Sequence, residues 1–359
     1  MDAHLDLGMN ALAWDRDLTQ EVTTIRALEV PVPGPGRGQG TVALPELRRG
    51  RVALCVATSV SRSTGTPVPG VDFRSAAQAH GAARGQFAYY DALQRLGHVR
   101  VLTEPAALAD HIAAWRAWEE TPSPNPNAAP PIGLVLSMES ADPVLTPDDL
   151  DVWQRIGIRL IGPAHYGPGR YAGGTGVESG LTPAGVELLR GMQGLGIALD
   201  VTHLSDRAFW EALDVYQGPV IASHNNCRAL VPHQRQLTDD QLRALLERDA
   251  VIGAAADTWM LQLGWIRGHS SNAEIRLERL CDHIDRVCQL AGDARHAGIG
   301  SDLDGGFGRN QSPSDLDTIA DLQHLAGLLA ARGYRDEDVA AILHGNFIRV
   351  LGQVLTGPS

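Results

Sequence analysis

Two short apolar segments, each ending on a histidine, constrain the fold of this chain more than any other feature. Residues 199–203 read Leu-Asp-Val-Thr-His, and residues 220–224 read Val-Ile-Ala-Ser-His. Apolar, partly β-branched runs of this length are typical of buried parallel strands. Because α/β folds place ligand and catalytic groups at the carboxyl ends of their strands, the two imidazoles should lie side by side above a sheet. The pattern therefore predicts a metal site.

Strands and helices alternate along the rest of the chain. Hydrophobic patterning predicts further strands at residues 52–58, 99–102, 132–138, 158–161, 251–256 and 297–301. It predicts helices at residues 75–96, 105–118, 275–290, 315–332 and 336–354, and capping patterns predict helix starts at Thr146, Thr182 and Thr238. About eight such repeats, with no shift in composition, indicate one α/β domain over residues 1–359, a (β/α)₈ barrel with extra C-terminal helices. A doubly wound open sheet is the alternative, although no G-x-G-x-x-G motif follows the first strand.

Composition excludes several classes of partner and of chemistry. A formal net charge of −12 argues against nucleic acid or an anionic membrane as a partner. No apolar run approaches the roughly 20 residues of a membrane span, and the first residues lack the pattern of a signal peptide. Four scattered cysteines predict free thiols and a cytoplasmic protein. All 30 basic residues are arginine, which excludes a Schiff-base lysine, a P-loop lysine and a carboxylated lysine between metal ions.

Polar residues at the predicted strand ends supply the candidate site. In a barrel, all these side chains would converge on one mouth. The seven residues are His4, Asp6, Glu139, His165, His203, His224 and Asp302. Imidazoles and carboxylates together suit zinc or a similar divalent ion. Five of these groups, all but His165 and Asp302, are too many for one tetrahedral zinc but fit two ions that share a carboxylate and a hydroxide. Without a lysine to join the ions, Glu139 is the best candidate for the shared ligand.

Structural roles are the competing interpretation for individual residues. A lone buried histidine is more often a hydrogen-bonded core residue than a ligand, and we assign that role to His80, His111 and the other seven histidines. Asp302 and Asp304 could both cap a loop. Asp302 lies nearer the strand end, which favours it as the group that accepts a proton from metal-bound water and passes it to a leaving amine. Asp304 stays open as the alternative for that role.

Several segments taken together resemble the membrane (renal) dipeptidase family of zinc metallopeptidases, in the amidohydrolase superfamily. The matching segments span nearly the whole chain, at residues 2–6, 137–140, 163–165, 199–203, 223–226, 234–239, 298–305 and 345–347. The resemblance implies a distorted (β/α)₈ barrel that holds two zinc ions, and a homodimer. It implies that His4 and Asp6 bind one ion, that His203 and His224 bind the other, and that Glu139 bridges them.

The resemblance also implies roles for three other residues. Asp302 would be the acid/base residue, His165 would donate a hydrogen bond to the scissile carbonyl oxygen, and Arg235 would bind the terminal carboxylate of the substrate. Two departures from the family pattern leave the substrate preference open. Ser140 replaces the more usual glycine after the glutamate, and the residues around His165 differ.

We therefore expect a binuclear zinc dipeptidase that hydrolyses the amide bond of dipeptides, with a D-residue at the C-terminal position left open. The expected nucleophile is a hydroxide that bridges the two ions. The alternative is a related metal-dependent amidohydrolase acting on a lactam, a lactone or an N-acyl amino acid. The least favoured interpretation is an inactive barrel that serves as a binding or scaffold protein.

Overall fold

The computed structural model describes residues 1–66, 68–122 and 124–357, and the last two residues of the predicted domain lie outside this part. Its strands are β1 (Asp2–Leu5), β2 (Leu54–Val60), β3 (Val99–Val101), β4 (Ile132–Glu139), β5 (Ile158–Gly162), β6 (Ala198–Asp200), β7 (Val220–Ile221), β8 (Ile252–Ala254) and β9 (Ala297–Ile299). The earlier helices are α1 (Leu7–Leu12), α2 (Val22–Glu29), α3 (Leu44–Arg49), α4 (Ala76–Arg95), α5 (Pro105–Glu119), α6 (Leu150–Arg155) and α7 (Pro183–Leu195). The later helices are α8 (Asp206–Val215), α9 (Asp239–Glu247), α10 (Thr258–Leu261), α11 (Glu278–Ala291), α12 (His324–Ala331), α13 (Asp336–Ala340) and α14 (Asn346–Leu355).

All strand pairs in the described chain are parallel, and eight strands follow one another around a ring. Six pair in the order β1-β2-β4-β5-β6-β7, and β8 pairs with β9. A bridge between Ala222 and Ile252 connects β7 to β8. The Asp2 carboxylate connects β9 to β1, because it accepts hydrogen bonds from the backbone N–H groups of Ser301 (3.0 Å) and His4 (3.1 Å). The order follows the chain without the reversal of a doubly wound sheet, so the predicted distorted (β/α)₈ barrel is confirmed.

One predicted strand is not part of this ring. β3 pairs with residues Ile132–Leu134 at the start of β4, whereas β5 pairs with the carboxyl half of β4, from Leu136 onward. β2 occupies the other edge of β4 throughout. β3 is therefore an additional short strand below β5, and a local hydrophobic pattern cannot distinguish it from a barrel strand.

The interior of the barrel is apolar below the strand ends, and the C-terminal helix covers its amino end. α14 contributes Phe347, Val350, Leu351 and Val354 to a buried cluster. The other members in or next to the barrel strands are Ala3, Leu54, Val56, Val135, Leu160, Ala198, Ile221 and Val251, the last directly before β8. The ammonium group of Met1, at the start of β1, donates to the carbonyl oxygen of Leu343 in the turn before α14 (3.1 Å). Because this end is filled, the polar groups of the barrel collect at the opposite, carboxyl end.

Helix starts agree with the capping prediction at Thr182 and Thr238, and two predicted helices near the C-terminus differ. The predicted helix 336–354 is interrupted between α13 and α14 by a π-helical turn at Ala341–Gly345. Thr182 and Thr238 each accept a backbone hydrogen bond from the first turn that follows. The predicted helix 315–332 begins only after Thr318, which caps a 3₁₀ turn at Ile319–Gln323 that leads into α12. The reason is that the Asp315 carboxylate accepts from the backbone N–H of Leu277 (2.8 Å), which holds this residue in a loop.

Two other sequence expectations concern the whole chain. The four cysteines are buried and free, as predicted. Among the described residues, no helix combines the length and the apolar character needed to cross a bilayer.

Candidate metal centre

The predicted site residues lie at equivalent places on successive strands. His4 lies in β1 and Asp6 directly follows that strand, whereas Glu139 is the last residue of β4. The remaining four follow their strands by three residues, and they are His165 after β5, His203 after β6, His224 after β7 and Asp302 after β9. The parallel barrel therefore brings all seven groups to one mouth, as the sequence predicted.

Glu139 lies at the centre of this group, and its two oxygens face different imidazoles. Oε1 lies 3.2 Å from Nε2 of His203 and 3.3 Å from Nε2 of His224. Oε2 lies 3.5 Å from Nε2 of His4, which in turn lies 3.7 Å from Oδ2 of Asp6. Ligand atoms of His4, Asp6 and Glu139 fall within 4.8 Å of one another, and so do those of Glu139, His203 and His224. Glu139 thus belongs to both of these sets, and a third set contains His4, His224 and Asp302.

Several atoms in these sets are buried without a compensating partner. Nε2 of His4 and Oδ1 of Asp6 have no hydrogen-bond partner among the described residues. Nε2 of His203 faces Nε2 of His224 at 3.2 Å. Because an unpaired buried polar atom costs about 1–3 kcal/mol, such an arrangement favours a bound cation. The donor set of imidazole nitrogens and carboxylate oxygens fits zinc or a similar divalent ion.

The electrostatics of the second set match the protonation states that metal ligands need. Burial alone would raise the pKa of Glu139, but the neighbouring imidazoles of His165, His4, His203 and His224 hold it well below its usual value. Burial lowers the pKa of His203 and of His224 far below the ordinary value, and the charge of Arg235 acts in the same direction. The set therefore consists of an ionised carboxylate and two neutral imidazoles, which are the metal-binding forms.

The first set holds an excess of negative charge. Burial opposes a charge on His4, but the carboxylates of Glu139 and Asp6 outweigh this effect and raise the pKa of His4 well above its ordinary value. Burial raises the pKa of Asp302 well above its ordinary value, and the charges of Asp6 and Glu139 add to the effect although His4 opposes it. The group of carboxylates thus attracts positive charge, which a divalent ion supplies.

Hydroxyl groups hold the rings of the two paired histidines. Oγ1 of Thr175 lies 3.0 Å from Nδ1 of His203, and Oγ of Ser223 lies 2.9 Å from Nδ1 of His224. Each hydroxyl can accept a hydrogen bond from Nδ1–H, and Nε2 of each neutral ring then keeps its lone pair on the side that faces Glu139. Thr175 comes from the glycine-rich loop after β5, so that loop has a structural connection to the site.

Replacing Thr175 with valine should weaken metal binding, because the ring of His203 loses the partner of its Nδ1. Loss of such outer contacts typically costs about 10–100-fold in metal affinity. Competition titration against a chelator measures the effect, and Thr175→Ser, which keeps the hydroxyl, is the matched control. A metal affinity equal to that of the wild type in Thr175→Val would show that Thr175 does not support His203 as a metal ligand.

His165 borders the centre without belonging to either set. Its Nε2 lies 3.7 Å from Oε1 of Glu139, and its ring stacks edge-on against His203 with centroids 4.3 Å apart. Burial lowers the pKa of His165 to about 4, Glu139 opposes the shift, and the charges of Arg62 and Arg235 add to it. His165 is therefore a neutral imidazole at the edge of the candidate centre.

Arg235 reaches the same mouth from the loop between β7 and α9. It is only 3% exposed, and its NH2 donates to the carbonyl oxygen of His224 (2.9 Å). Its NH1 is buried and has no partner among the described residues. A buried guanidinium with a free donor is suited to bind an anion such as a carboxylate.

Asp302 and Asp304 occupy different surroundings. Oδ1 of Asp302 lies 3.9 Å from Nε2 of His4, and its side chain is 16% exposed. The Asp304 carboxylate accepts from the backbone N–H and hydroxyl of Thr41 and from the backbone N–H of Val42. Asp304 also forms an ion pair with NH1 of Arg16 (3.1 Å). The contacts of Asp304 are structural, which favours Asp302 as the group available to a substrate.

Three residues at the site adopt a left-handed backbone conformation, which sequence reasoning did not predict. The φ angles are 77° for Ser140, 70° for His203 and 58° for Asp302. Glycine adopts this conformation without a steric cost, which explains why glycine would be usual directly after Glu139. Non-glycine residues held in this region are often found at functional sites.

Comparison with known proteins places the chain in a family. The sequence model of the membrane dipeptidase family, peptidase family M19, matches residues 2–357. Among curated proteins, the dipeptidase tcpJ of Claviceps purpurea is 32% identical over 212 residues, which cover 57% of this chain and 47% of that protein. The match thus spans about half the length of that relative.

Solved structures share the fold over the whole chain. A dipeptidase named AC, described as a metallopeptidase of family M19, aligns with a TM-score of 0.77 at 23% identity over 99% of this chain and 98% of that one. A metallopeptidase from Rhodobacter sphaeroides, solved with a phosphinate mimic of the dipeptide L-Ala-D-Ala, aligns with a TM-score of 0.77 at 22% identity over 98% of both chains. The chain therefore belongs to the membrane dipeptidase family and is by family a metallo-dipeptidase, a hydrolase that acts on peptide bonds.

Proposed function

We propose that this protein is a binuclear zinc dipeptidase. The observation that carries the proposal is the position of Glu139, whose two oxygens face two separate sets of ligand atoms. His4 and Asp6 would hold one ion, His203 and His224 would hold the other, and Glu139 would be shared. When bound, two such ions lower the pKa of a water molecule and polarise a carbonyl oxygen.

The roles of the protein's own groups follow from their positions. The free NH1 of Arg235 binds the terminal carboxylate of the dipeptide and thereby sets the distance from the chain end to the scissile amide. His165 donates a hydrogen bond to the carbonyl oxygen as negative charge develops on it. Asp302 accepts the proton of the attacking water and delivers it to the leaving amine.

This assignment also predicts a preference for dipeptides over longer peptides. A longer peptide has its carboxylate further from the scissile bond, so it cannot reach Arg235 and the centre at once.

A dipeptide panel with and without a chelator tests the proposal. It should contain L-Ala-L-Ala, L-Ala-D-Ala, the matching tripeptides and a dipeptide amide, since the Rhodobacter sphaeroides relative holds a mimic of L-Ala-D-Ala. We expect dipeptides to be cleaved much faster than the dipeptide amide or the tripeptides, loss of activity with chelator and recovery with zinc. Cleavage that survives complete metal removal, or no cleavage of any dipeptide by the zinc-loaded protein, would refute the proposal.

A homodimer and a cytoplasmic location remain predictions. The four free thiols are consistent with a reducing compartment. Light scattering of the purified protein and fractionation of cells check these two predictions.

A further inference from the structure

Arg62 lies beside the candidate centre, and nothing in its sequence context singles it out. It follows the end of β2 by two residues, and its side chain is 13% exposed. Its NH1 lies 2.8 Å from Nδ1 of His165. No other arginine side chain in the described chain contacts an imidazole nitrogen of the candidate centre.

The chemistry of this contact determines which nitrogen of His165 carries the proton. A guanidinium has only donors and stays protonated, so Nδ1 of His165 must accept with its lone pair. The single proton of the neutral ring is then on Nε2. That nitrogen faces the centre, 3.7 Å from Oε1 of Glu139.

We propose that Arg62 is a positioning residue that fixes His165 as the Nε2–H tautomer and directs this N–H into the mouth of the barrel. The role of that N–H towards a scissile carbonyl oxygen rests on the proposed dipeptidase function, whereas the tautomer does not. The contact also explains why His165 is a donor and not another ligand. A histidine with a free Nε2 lone pair beside Glu139 would compete for a metal ion.

The structure holds Arg62 firmly in this orientation. Its Nε donates to Oδ2 of Asp72 (2.9 Å), which is itself buried. Asp72 also accepts from the backbone N–H and the hydroxyl of Thr64. Backbone hydrogen bonds from Arg62 to Val71 (2.9 Å) and from Phe73 to Arg62 (2.8 Å) join the two chain segments. The side chain of Arg62 is therefore oriented before any substrate binds.

A tautomer measurement and a kinetic measurement test the proposal together. In protein labelled with ¹⁵N-histidine, the signals of His165 are identified by their loss in His165→Gln. We expect a protonated Nε2 and an unprotonated Nδ1 in the wild type, and loss of this fixed pattern in Arg62→Met. For a dipeptide substrate, kcat should fall about 10–100-fold in Arg62→Met, the effect typical of a supporting contact, with KM changed less than about threefold and metal content unchanged.

Conservative and remote variants separate positioning from a general structural effect. Arg62→Lys and Arg62→Gln each keep an N–H donor and should recover part of kcat. Arg332→Met removes another partly buried arginine far from the barrel mouth and should keep wild-type kinetics; its carboxylate partners are Glu278, Asp282 and Asp285.

Three results would overturn the proposal. The first is protonation of His165 on Nδ1 in the wild type, and the second is an unchanged kcat in Arg62→Met. The third is a loss of kcat in Arg332→Met as large as that in Arg62→Met. If Arg62→Met does not fold, the tautomer of His165 in the wild type and the kinetics of the two conservative variants still show whether Arg62 positions His165. If the wild type cleaves no dipeptide, the proposed function fails while the tautomer still tests the role of Arg62.

Discussion

Replacing Glu139 with glutamine is expected to abolish dipeptide hydrolysis and to reduce the bound metal. The amide keeps the size of the side chain but loses its charge and one of its two acceptor oxygens, so it cannot serve both ligand sets. Loss of an outer contact costs about 10–100-fold, and loss of a direct shared ligand should exceed that range in kcat/KM. The measurements are zinc per chain by elemental analysis and kcat/KM for the best dipeptide of the panel.

A second buried glutamate provides the control for this experiment. Glu46 is 1% exposed and accepts a hydrogen bond from the backbone N–H of Val22 (3.1 Å), remote from the barrel mouth. Glu46→Gln should keep both its zinc and its activity. If Glu139→Gln retained full metal content and activity close to that of the wild type, Glu139 would not be a shared ligand.

Replacing Arg235 with methionine should raise KM for dipeptides strongly while it leaves substrates without a terminal carboxylate almost unaffected. Methionine preserves the apolar length of the side chain but leaves the substrate carboxylate without its charged donor. Loss of one partner of a buried charge pair costs about 2–5 kcal/mol, which corresponds to about 30-fold to several-thousandfold in kcat/KM. The measurement compares a dipeptide with its C-terminal amide in wild type and variant.

Arg248 provides the matched control, because it donates to the backbone carbonyl oxygens of Tyr216 and Gly218, away from the candidate centre. Arg248→Met should change neither substrate preference nor KM. An equal effect of Arg235→Met on both substrates would show that Arg235 does not bind the terminal carboxylate, and would favour the alternative, a related amidohydrolase that acts on a lactam, a lactone or an N-acyl amino acid.

The positions of the candidate metal ligands could be predicted from the sequence because each depends on a local pattern. A histidine that follows an apolar run predicts its own place at the end of a strand, whatever the rest of the chain does. His203 and His224 are such cases, and the parallel barrel then brings them together. The same logic explains why His80 and His111, which occur in helices, contact backbone carbonyl oxygens instead.

Arg235, Arg62 and Thr175 could not be found in this way. Arg235 and Thr175 come from long loops and reach the site only because those loops fold back over the barrel mouth, whereas Arg62 follows the end of β2 by two residues but is not a residue type that indicates a metal site. Arg235 depends on the loop between β7 and α9, which returns through a bridge between Cys227 and Leu237. A resemblance to known dipeptidases pointed to Arg235, but no spacing or composition signal identified Arg62 or Thr175.

The pairing partners of short strands could not be predicted from the sequence either. β3 has the apolar pattern of a barrel strand, yet it pairs only with the first residues of β4. Which strand pairs with a given edge of β4 depends on every other strand that could pair there. β5 pairs with the carboxyl half of the edge at which β3 pairs with the first residues.

Anomalous diffraction at the zinc edge, from crystals of protein purified without added metal and then loaded with zinc, tests the central claim most directly. The account predicts two peaks on either side of the Glu139 carboxylate, one bound by His4 and Asp6 and the other by His203 and His224. Absence of both peaks, or a single ion that does not contact Glu139, would contradict it.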